Sequence, residues 1–130
     1  MARLTAAKSY LCWVIGVFFI AAGTNHFLHP TPYIAMVPAY LPAPTALVAV
    51  SGVAEILGGI GMLILPVRAF AAWGLIALLL AVFPANLHVA LHGWPGVNLP
   101  AWILWLRLPL QLLFIWVVYR GALARESAPK

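Results

Sequence analysis

Four long apolar runs, separated by short polar or proline-rich segments, make up most of this 130-residue sequence. A run of about 20 apolar residues is long enough to cross the hydrocarbon core of a bilayer as an α-helix. We therefore predict four membrane-spanning helices over residues 10–27, 45–65, 69–91 and 100–119. The expected fold class is an all-α four-transmembrane-helix bundle, and residues 1–130 form a single integral membrane domain.

Residues 28–44, between the first two runs, are too rich in proline to form a further span. They contain Pro30, Pro32, Pro38, Pro42 and Pro44. Proline lacks a backbone N–H and breaks a helix when it falls in the interior. The apolar and aromatic side chains of this segment instead predict a short piece that lies in the outer membrane interface.

Two further prolines fall inside predicted spans. Pro84 lies in the later turns of the third span and Pro109 lies within the fourth. A proline inside a helix usually kinks it and leaves a carbonyl about one turn earlier without its donor. We therefore expect a free backbone carbonyl near Leu80.

The composition confirms that the chain needs a membrane. Hydrophobic residues account for 65% of the sequence and charged residues for 7%, whereas soluble domains carry about a quarter charged residues. The lipid bilayer is thus the first partner of this protein. The single cysteine, Cys12, excludes an intrachain disulfide and a C-x-x-C motif, which argues against a thiol–disulfide oxidoreductase.

Basic residues predict the orientation of the chain. In a four-span arrangement all the basic residues outside the spans fall on one side, namely Arg3, Lys8, Arg68, Arg120, Arg125 and Lys130. The opposite loops, 28–44 and 92–99, contain no lysine or arginine. The positive-inside rule then places both termini in the cytoplasm. Because these residues sit at segment ends and do not form an aromatic-interleaved patch, the net charge of +5 does not indicate nucleic-acid binding.

The first span has a second interpretation as a secretory signal peptide. Ile20-Ala21-Ala22 would be a poor cleavage site, and the apolar run is long for a signal sequence. A measured mass of the mature protein distinguishes the two interpretations.

Glu55, near the middle of the second run, is one of only two acidic residues in the chain. Its helical neighbours three and four positions away are Ser51, Gly52, Gly58 and Gly59. Small residues around a polar group in a span indicate that another helix backbone approaches closely there.

Seven polar side chains interrupt the spans, and their estimated depths converge. They are Asn25, His26, Glu55, Asn86, His88, Arg107 and Gln111. From a rise of about 1.5 Å per residue, Glu55 lies near the midplane and Arg107 and Gln111 within about 4 Å of it. The other four lie about 9–12 Å toward the outer face. We therefore predict one polar ligand-binding pocket in the outer half of the bundle, with Glu55, Arg107 and Gln111 as its floor.

Glu55 and Arg107 are the only opposite charges within the predicted spans. A lone charge at the bilayer centre costs at least about 2.5–3.5 kcal/mol, so we predict a buried ion pair between the second and fourth helices. Such a pair can also serve only to fix the packing of the bundle.

The histidines allow two interpretations. His26 and His88 have similar predicted depths, as a bis-histidine haem site requires, and His88 and His92 have the i, i+4 spacing of a metal-ligand pair. We favour interfacial histidines that bond to loop carbonyls, because no second signature supports haem or metal ligation.

Taken together, the motifs resemble the DoxX family of small membrane proteins. The matching pieces are Ala22-Gly23-x-x-His26-Phe27-x-x-Pro30-x-x-Tyr33, Val37-Pro38-x-x-Leu41-Pro42, Ser51-Gly52-x-x-Glu55-x-x-Gly58-Gly59-x-Gly61, Pro66 with Arg68, Phe83-Pro84-Ala85-Asn86 and Arg107-Leu108-Pro109-x-Gln111. The resemblance implies a multi-pass protein of the bacterial inner membrane. Members of that family include accessory subunits of quinol oxidases, of thiosulfate:quinone oxidoreductases and of other membrane redox complexes. The resemblance therefore implies a similar accessory role, but the family has no agreed catalytic motif to carry over.

Two functions follow as hypotheses. The first is an accessory subunit of a quinone-linked or redox-associated membrane complex, in which the polar side chains bind a quinone headgroup. The chain has no flavin, iron–sulfur or thiol motif, so electrons would pass through quinone or an oxidoreductase partner. The alternative is a small-molecule transporter or a membrane-protein assembly factor with no redox role. The many small residues also permit homo-oligomers.

Overall fold

The computed structural model describes residues 6–124, and within them every regular element is helical. The helices are α1 (Ala6–Leu28), α2 (Pro30–Met36), α3 (Pro44–Leu63), α4 (Arg68–His92) and α5 (Ala101–Ala122), with a 3₁₀ turn at Leu65–Val67. Four described segments are long and apolar enough to cross a membrane: Ala7–Leu28, Pro44–Leu63, Leu65–His92 and Ala101–Ala122. The predicted all-α, four-span architecture is confirmed.

Several helix boundaries differ from the prediction, for local reasons. α1 begins four residues earlier than residue 10, because Ala6, Ala7 and Lys8 are good helix formers. α3 ends at Leu63, two residues before the predicted end. The following residue, Ile64, has φ −105° and ψ 106°, and the chain then enters the turn that contains Pro66.

The proline-rich segment contains a short helix, α2. Pro30 and Pro32 occupy its first turn, where helical N–H groups have no intrahelical acceptor and a missing donor costs nothing. The helix ends at Met36 because Val37 precedes Pro38 and takes an extended conformation, with φ −69° and ψ 123°.

α1 and α3 are in backbone contact through two pairs of glycines. A Cβ placed on Gly23 would lie 2.6 Å from the carbonyl oxygen of Gly52, and one placed on Gly59 would lie 2.6 Å from that of Gly16. Within each helix the two glycines are seven residues apart, so both face the partner helix. The predicted close approach beside Glu55 is thereby confirmed for Gly52 and Gly59.

The remaining small neighbours of Glu55 have other surroundings. A Cβ on Gly58 would lie 2.5 Å from the Leu75 side chain, so the absence of a side chain at Gly58 allows α4 to pack closely against α3. The Ser51 hydroxyl donates to the carbonyl of Leu47 on its own helix, at 2.9 Å. α3 thus lies between α1 and α4, while α5 packs on α4 and α1.

The apolar core lies toward the end of the bundle at which α4 begins, which we call the Arg68 end. Its buried side chains include Phe19, Met62, Leu75 and Val118. Cys12 is also fully buried there and its thiol donates to the carbonyl of Gly121 at 3.3 Å, so it contacts helices and not lipid.

Arg68 stabilises the end of α3 in addition to carrying charge. The side chain is only 5% exposed and its Nε donates to the carbonyl of Met62 at 2.7 Å. In a continuous helix the residue four positions later would donate to that carbonyl, but Pro66 has no N–H. The arginine supplies the missing donor.

The first and last described helices meet at the Arg68 end. Lys8 Nζ donates to the carbonyl of Ala124 at 3.0 Å. The opposite end, which we call the α2 end, carries α2, the α4–α5 loop and a smaller apolar cluster of Met36, Val89 and Leu104. Most of the polar side chains of the predicted site lie toward the α2 end.

Candidate functional site

The structure divides the predicted polar pocket into two clusters. The first, the carboxylate cluster, consists of Asn25, His26, Tyr33 and Glu55 and joins α1, α2 and α3. The second, the arginine cluster, consists of Met36, Asn86, Trp94, Arg107 and Gln111 and joins α2, α4, the α4–α5 loop and α5. α2 contributes one residue to each cluster.

In the carboxylate cluster, an imidazole faces a carboxyl group in the interior of the bundle. His26 Nε2 lies 3.4 Å from Glu55 Oε2, and the two side chains are only 12% and 16% exposed. The ring of Tyr33 packs on that of His26, with centroids 4.0 Å apart and planes at 56°. Asn25 Nδ2 donates to the Tyr33 hydroxyl oxygen at 2.6 Å, which ties α2 to the end of α1.

Helix geometry explains why His26 and Glu55 meet although their backbones lie at different depths. Side chains on a helix lean toward its N-terminus. α1 and α3 are antiparallel. The His26 side chain therefore leans away from the α2 end along the helix axis, and the Glu55 side chain leans toward the α2 end, so the two approach each other. The backbone contact between Gly23 and Gly52 brings the two helices close enough for these side chains to touch.

Hydrogen bonding within the carboxylate cluster is incomplete. Glu55 Oε2 is buried and has no hydrogen-bond partner. The buried His26 Nδ1 makes no well-formed hydrogen bond, although the backbone carbonyl of Val48 lies close to the imidazole. The 3.4 Å separation of the imidazole and the carboxyl group is also longer than the usual N–H···O distance of about 2.9 Å. Since buried polar atoms are normally paired, the unpaired Glu55 oxygen makes this cluster a candidate site for a polar ligand group.

The arginine cluster, in contrast, is a connected hydrogen-bond network. Arg107 donates to Asn86 Oδ1 from Nη2 at 3.1 Å and from Nε at 3.4 Å. Asn86 Nδ2 donates to Gln111 Oε1 at 2.7 Å. Gln111, only 4% exposed, donates from Nε2 to the carbonyl of Leu79.

The last of these bonds lies close to the predicted effect of Pro84. The sequence predicts a free carbonyl near Leu80, and the carbonyl that Gln111 reaches belongs to the preceding residue, Leu79. Pro84 removes the helical donor to Leu80, four residues earlier, so the bond from Gln111 to Leu79 lies in the same turn but does not replace the missing one.

Aromatic and sulfur groups complete the arginine cluster. The guanidinium carbon of Arg107 lies 4.7 Å from the centroid of the Trp94 ring, and Nη2 lies 3.8 Å from Met36 Sδ. The Trp94 indole N–H in turn donates to the carbonyl of Pro32 at 2.8 Å, so the α4–α5 loop is held against α2.

The predicted Glu55–Arg107 ion pair is wrong. Glu55 contacts His26 and Arg107 binds Asn86, and the two charges belong to different clusters. Equal depth along two helix axes does not determine which faces meet. α3 packs mainly on α1 and α4, whereas α5 packs on α4 and α1, so helices two and four of the span order are not close partners.

His88 belongs to neither cluster. Its ring lies 4.5 Å from that of His92, and His92 Nδ1 is 3.2 Å from the carbonyl oxygen of His88 itself. The i, i+4 helical spacing predicted for His88 and His92 is thus confirmed. The predicted bond of these histidines to a loop carbonyl is wrong, because the carbonyl near His92 Nδ1 belongs to α4. Among residues 6–124, no group of three or more His, Cys, Asp or Glu side chains could hold a metal ion.

Three members of the clusters are not among the predicted site residues: Tyr33, Met36 and Trp94. Their sequence context indicates the membrane interface or an aromatic belt, since aromatic residues commonly occur there. The eight-residue spacing of Asn25 and Tyr33 across a helix break carries no recognisable pattern. The fold of α2 back onto the bundle brings Tyr33 and Met36 to the clusters, and the α4–α5 loop brings Trp94.

The chain is thus a four-span helical membrane protein whose polar side chains gather in two clusters. Residues 15–122 match the model of a family described as a domain of unknown function, DUF8561, and the chain belongs to that family. No curated protein and no solved structure matches the chain.

Proposed function

We propose that this protein is a DoxX-like accessory subunit of a quinone-linked or redox-associated complex in the bacterial inner membrane. In this proposal both termini face the cytoplasm, as the distribution of lysine and arginine favours. The α2 end then faces the extracytoplasmic side, and the carboxylate cluster binds the quinone headgroup.

The observation that carries the proposal is the incompletely bonded pair of His26 and Glu55. A quinone carbonyl accepts hydrogen bonds and a quinol hydroxyl also donates them, so a site for both forms needs donors beside an acceptor. His26, Tyr33 and Asn25 carry N–H or O–H groups, and Glu55 has a buried oxygen without a partner. A lipid-soluble ring could reach these groups from the hydrocarbon without crossing water.

The test is whether quinone remains with the protein during purification. The tagged chain is extracted from its host in mild detergent, and quinone in the purified fraction is measured by chromatography and ultraviolet absorbance. We expect Glu55→Gln and His26→Gln to lower the retained quinone about tenfold, because a hydrogen bond to a charged group is worth about 1.5–3 kcal/mol.

His92→Gln is the matched control, since it changes an exposed histidine outside both clusters. Retention that is equal in Glu55→Gln and His92→Gln would contradict binding at the carboxylate cluster. Wild-type protein without quinone and without a co-purifying dehydrogenase or oxidase would contradict the redox assignment itself.

The corrected position of Arg107 favours a second candidate, a proton-coupled small-molecule transporter. A guanidinium paired with Glu55 would hold the carboxyl group ionised and prevent a proton from exchanging with a substrate. In the structure Glu55 instead faces an imidazole, which can itself exchange a proton. A change in drug susceptibility on overexpression of wild-type protein, absent for Glu55→Gln, would favour this candidate. An assembly factor, in contrast, would co-purify with a client membrane protein and retain no quinone.

A further inference from the structure

We infer that Arg107 forms a binding site for a phosphate-type oxyanion at the α2 end of the bundle, separate from the carboxylate cluster. The ligand is either the phosphate of a phospholipid headgroup or a free anion of the same chemistry. The site is defined by the charge balance of Arg107, by its position along α5 and by the donors that it leaves unused. It does not depend on the quinone proposal.

The charge of Arg107 has no acidic partner in the part of the chain that the structure describes. The chain contains only two acidic residues. Glu55 is in contact with His26, and Glu126 lies outside the described residues. The groups that surround Arg107 are a neutral amide, a thioether and an indole, and its further electrostatic neighbour is the phenol of Tyr33. Charged residues in spans are almost always paired, so an arginine with only neutral neighbours indicates that its counter-ion is an external ligand.

The position of Arg107 brings its guanidinium toward the end of the bundle. The residue lies six positions after the start of α5 at Ala101, or about 9 Å along the axis. The side chain leans toward the N-terminus of α5, so the guanidinium lies nearer to the α2 end of the bundle than the backbone of Arg107 does. The contact of the guanidinium with the Trp94 ring agrees with this position, because Trp94 belongs to the loop that follows α4.

The unused donors of Arg107 suit an oxyanion. Asn86 Oδ1 takes Nε and one bond from Nη2. The other contact of Nη2 is the Met36 sulfur at 3.8 Å, which is a weak acceptor. Nη1 makes no hydrogen bond to any residue that the structure describes. The Nη1–Nη2 edge therefore remains for a phosphate, whose oxygens match the parallel N–H groups of arginine.

The surrounding contacts hold the guanidinium plane before a ligand arrives. The Trp94 ring lies 4.7 Å from the guanidinium carbon and is itself fixed by its bond to the Pro32 carbonyl. Asn86 is oriented by its bond to Gln111. A donor group that is already immobilised loses less entropy on binding, which raises the affinity for the anion.

The test follows the Arg107 Nε–H resonance in protein labelled with ¹⁵N-arginine and purified in a neutral detergent. One series adds sodium phosphate against sodium chloride at constant ionic strength. A second series adds phosphatidylglycerol or, as its phosphate-free counterpart, diacylglycerol at the same mole fraction. We expect a saturable shift with inorganic phosphate, with phosphatidylglycerol, or with both. A response to phosphatidylglycerol alone identifies a lipid headgroup, and a response to inorganic phosphate identifies a free anion.

Two arginines on the same helix provide a matched comparison. Arg120 also lies over a tryptophan, with its guanidinium carbon 5.9 Å from the centroid of the Trp116 ring, but at the Arg68 end. Because Arg107→Gln lacks the arginine reporter, both variants are followed through the Trp94 indole N–H resonance, which lies beside the site. We expect Arg107→Gln to weaken binding of the responding ligand about tenfold or more, and Arg120→Gln to leave it unchanged.

Three results would overturn the inference: no shift with either ligand, wild-type affinity in Arg107→Gln, or an equal loss in Arg120→Gln. If Arg107→Gln does not fold, the resonance in wild-type protein still decides the question. Arg107→Lys then serves as the variant, since it keeps the charge and loses the two parallel donors. Quinone retention by wild-type protein is a separate readout, so either proposal can fail without the other.

Discussion

The carboxylate cluster and the arginine cluster lie at the same end of the bundle but are built in different ways. Backbone contact between glycines of α1 and α3 brings His26 and Glu55 together, and their polar atoms remain incompletely bonded. Side-chain hydrogen bonds connect Arg107 to α4, and the network ends on a backbone carbonyl near Pro84.

The difference shows that close backbone packing and polar bonding are alternative ways to position a charged group in a membrane. Where helices approach through glycine, van der Waals contact fixes the positions, and polar atoms can be left available for a ligand. In the arginine cluster, side chains instead bond to one another and to the backbone, and the Nη1–Nη2 edge of Arg107 is the part that remains available for a ligand. Three substitutions and one pair of double-mutant cycles test this distinction, and their expected effects decrease from the first test to the last.

The largest effect is expected from Gly23→Ala. The added methyl group would lie 2.6 Å from the Gly52 carbonyl oxygen and 2.9 Å from the Glu55 Cβ, so α1 and α3 would have to move apart. We expect a loss of about 3 kcal/mol, at the upper end for overpacking because backbone must shift. Unfolding in mixed detergent micelles measures it. Gly74→Ala is the control, because nothing lies within 4 Å of a Cβ at that position.

The next effect is expected from Asn86→Leu, which has a similar size but no polar atoms. It removes the oxygen that accepts from Arg107 and the donor to Gln111. Loss of a hydrogen bond to a charged group costs about 2 kcal/mol. The same unfolding assay applies, and Asn98→Leu in the exposed loop is the control. Equal stabilities of the two variants would show that the network contributes nothing.

A smaller effect is expected from the coupling of His26 and Glu55. In a double-mutant cycle with His26→Gln and Glu55→Gln, groups in contact give an interaction energy of about 1 kcal/mol. The corresponding cycle of Glu55→Gln with Arg107→Gln should give a value near zero, since these residues lie in separate clusters. Strong coupling in the second cycle would restore the ion pair that the structure excludes.

The smallest effect is expected from Trp94→Phe. The aromatic face over Arg107 is kept, and the N–H that donates to the Pro32 carbonyl is lost. A single neutral hydrogen bond at a half-buried position is worth about 1 kcal/mol or less. Hydrogen exchange in α2 should increase while exchange in α3 is unchanged. Faster exchange in both helices would mean that the two clusters are not independent.

Much of the fold could be predicted because its causes are local. Apolar length identified the four spans, and proline identified the break before α3. The glycines around Glu55 correctly indicated a close helix. The prediction was less accurate at Ile64, where the turn begins before Pro66, since boundaries depend on the capping geometry of a few residues.

Six of the residues in the two clusters were predicted from the sequence, but their contacts were not, and Tyr33, Met36 and Trp94 were missed. Asn86, Arg107 and Gln111 do share a cluster, and Asn25, His26 and Glu55 share another, but His88 belongs to neither. Depth was estimated from the helical rise, and that estimate left open which side of each helix a residue occupies. Tyr33 and Trp94 entered the clusters through contacts across chain breaks, which no helical period describes.

The sequence alone determined that this protein is a bundle of four spanning helices with a glycine-lined contact at Glu55, because hydrophobic length and residue size act locally along the chain. Only the tertiary structure decided that Glu55 meets His26 and that Arg107 has only neutral neighbours among the described residues. The physical reason is that depth follows from the rise per residue, whereas the choice of partner depends on how the helices are arranged around one another and on which faces they bury.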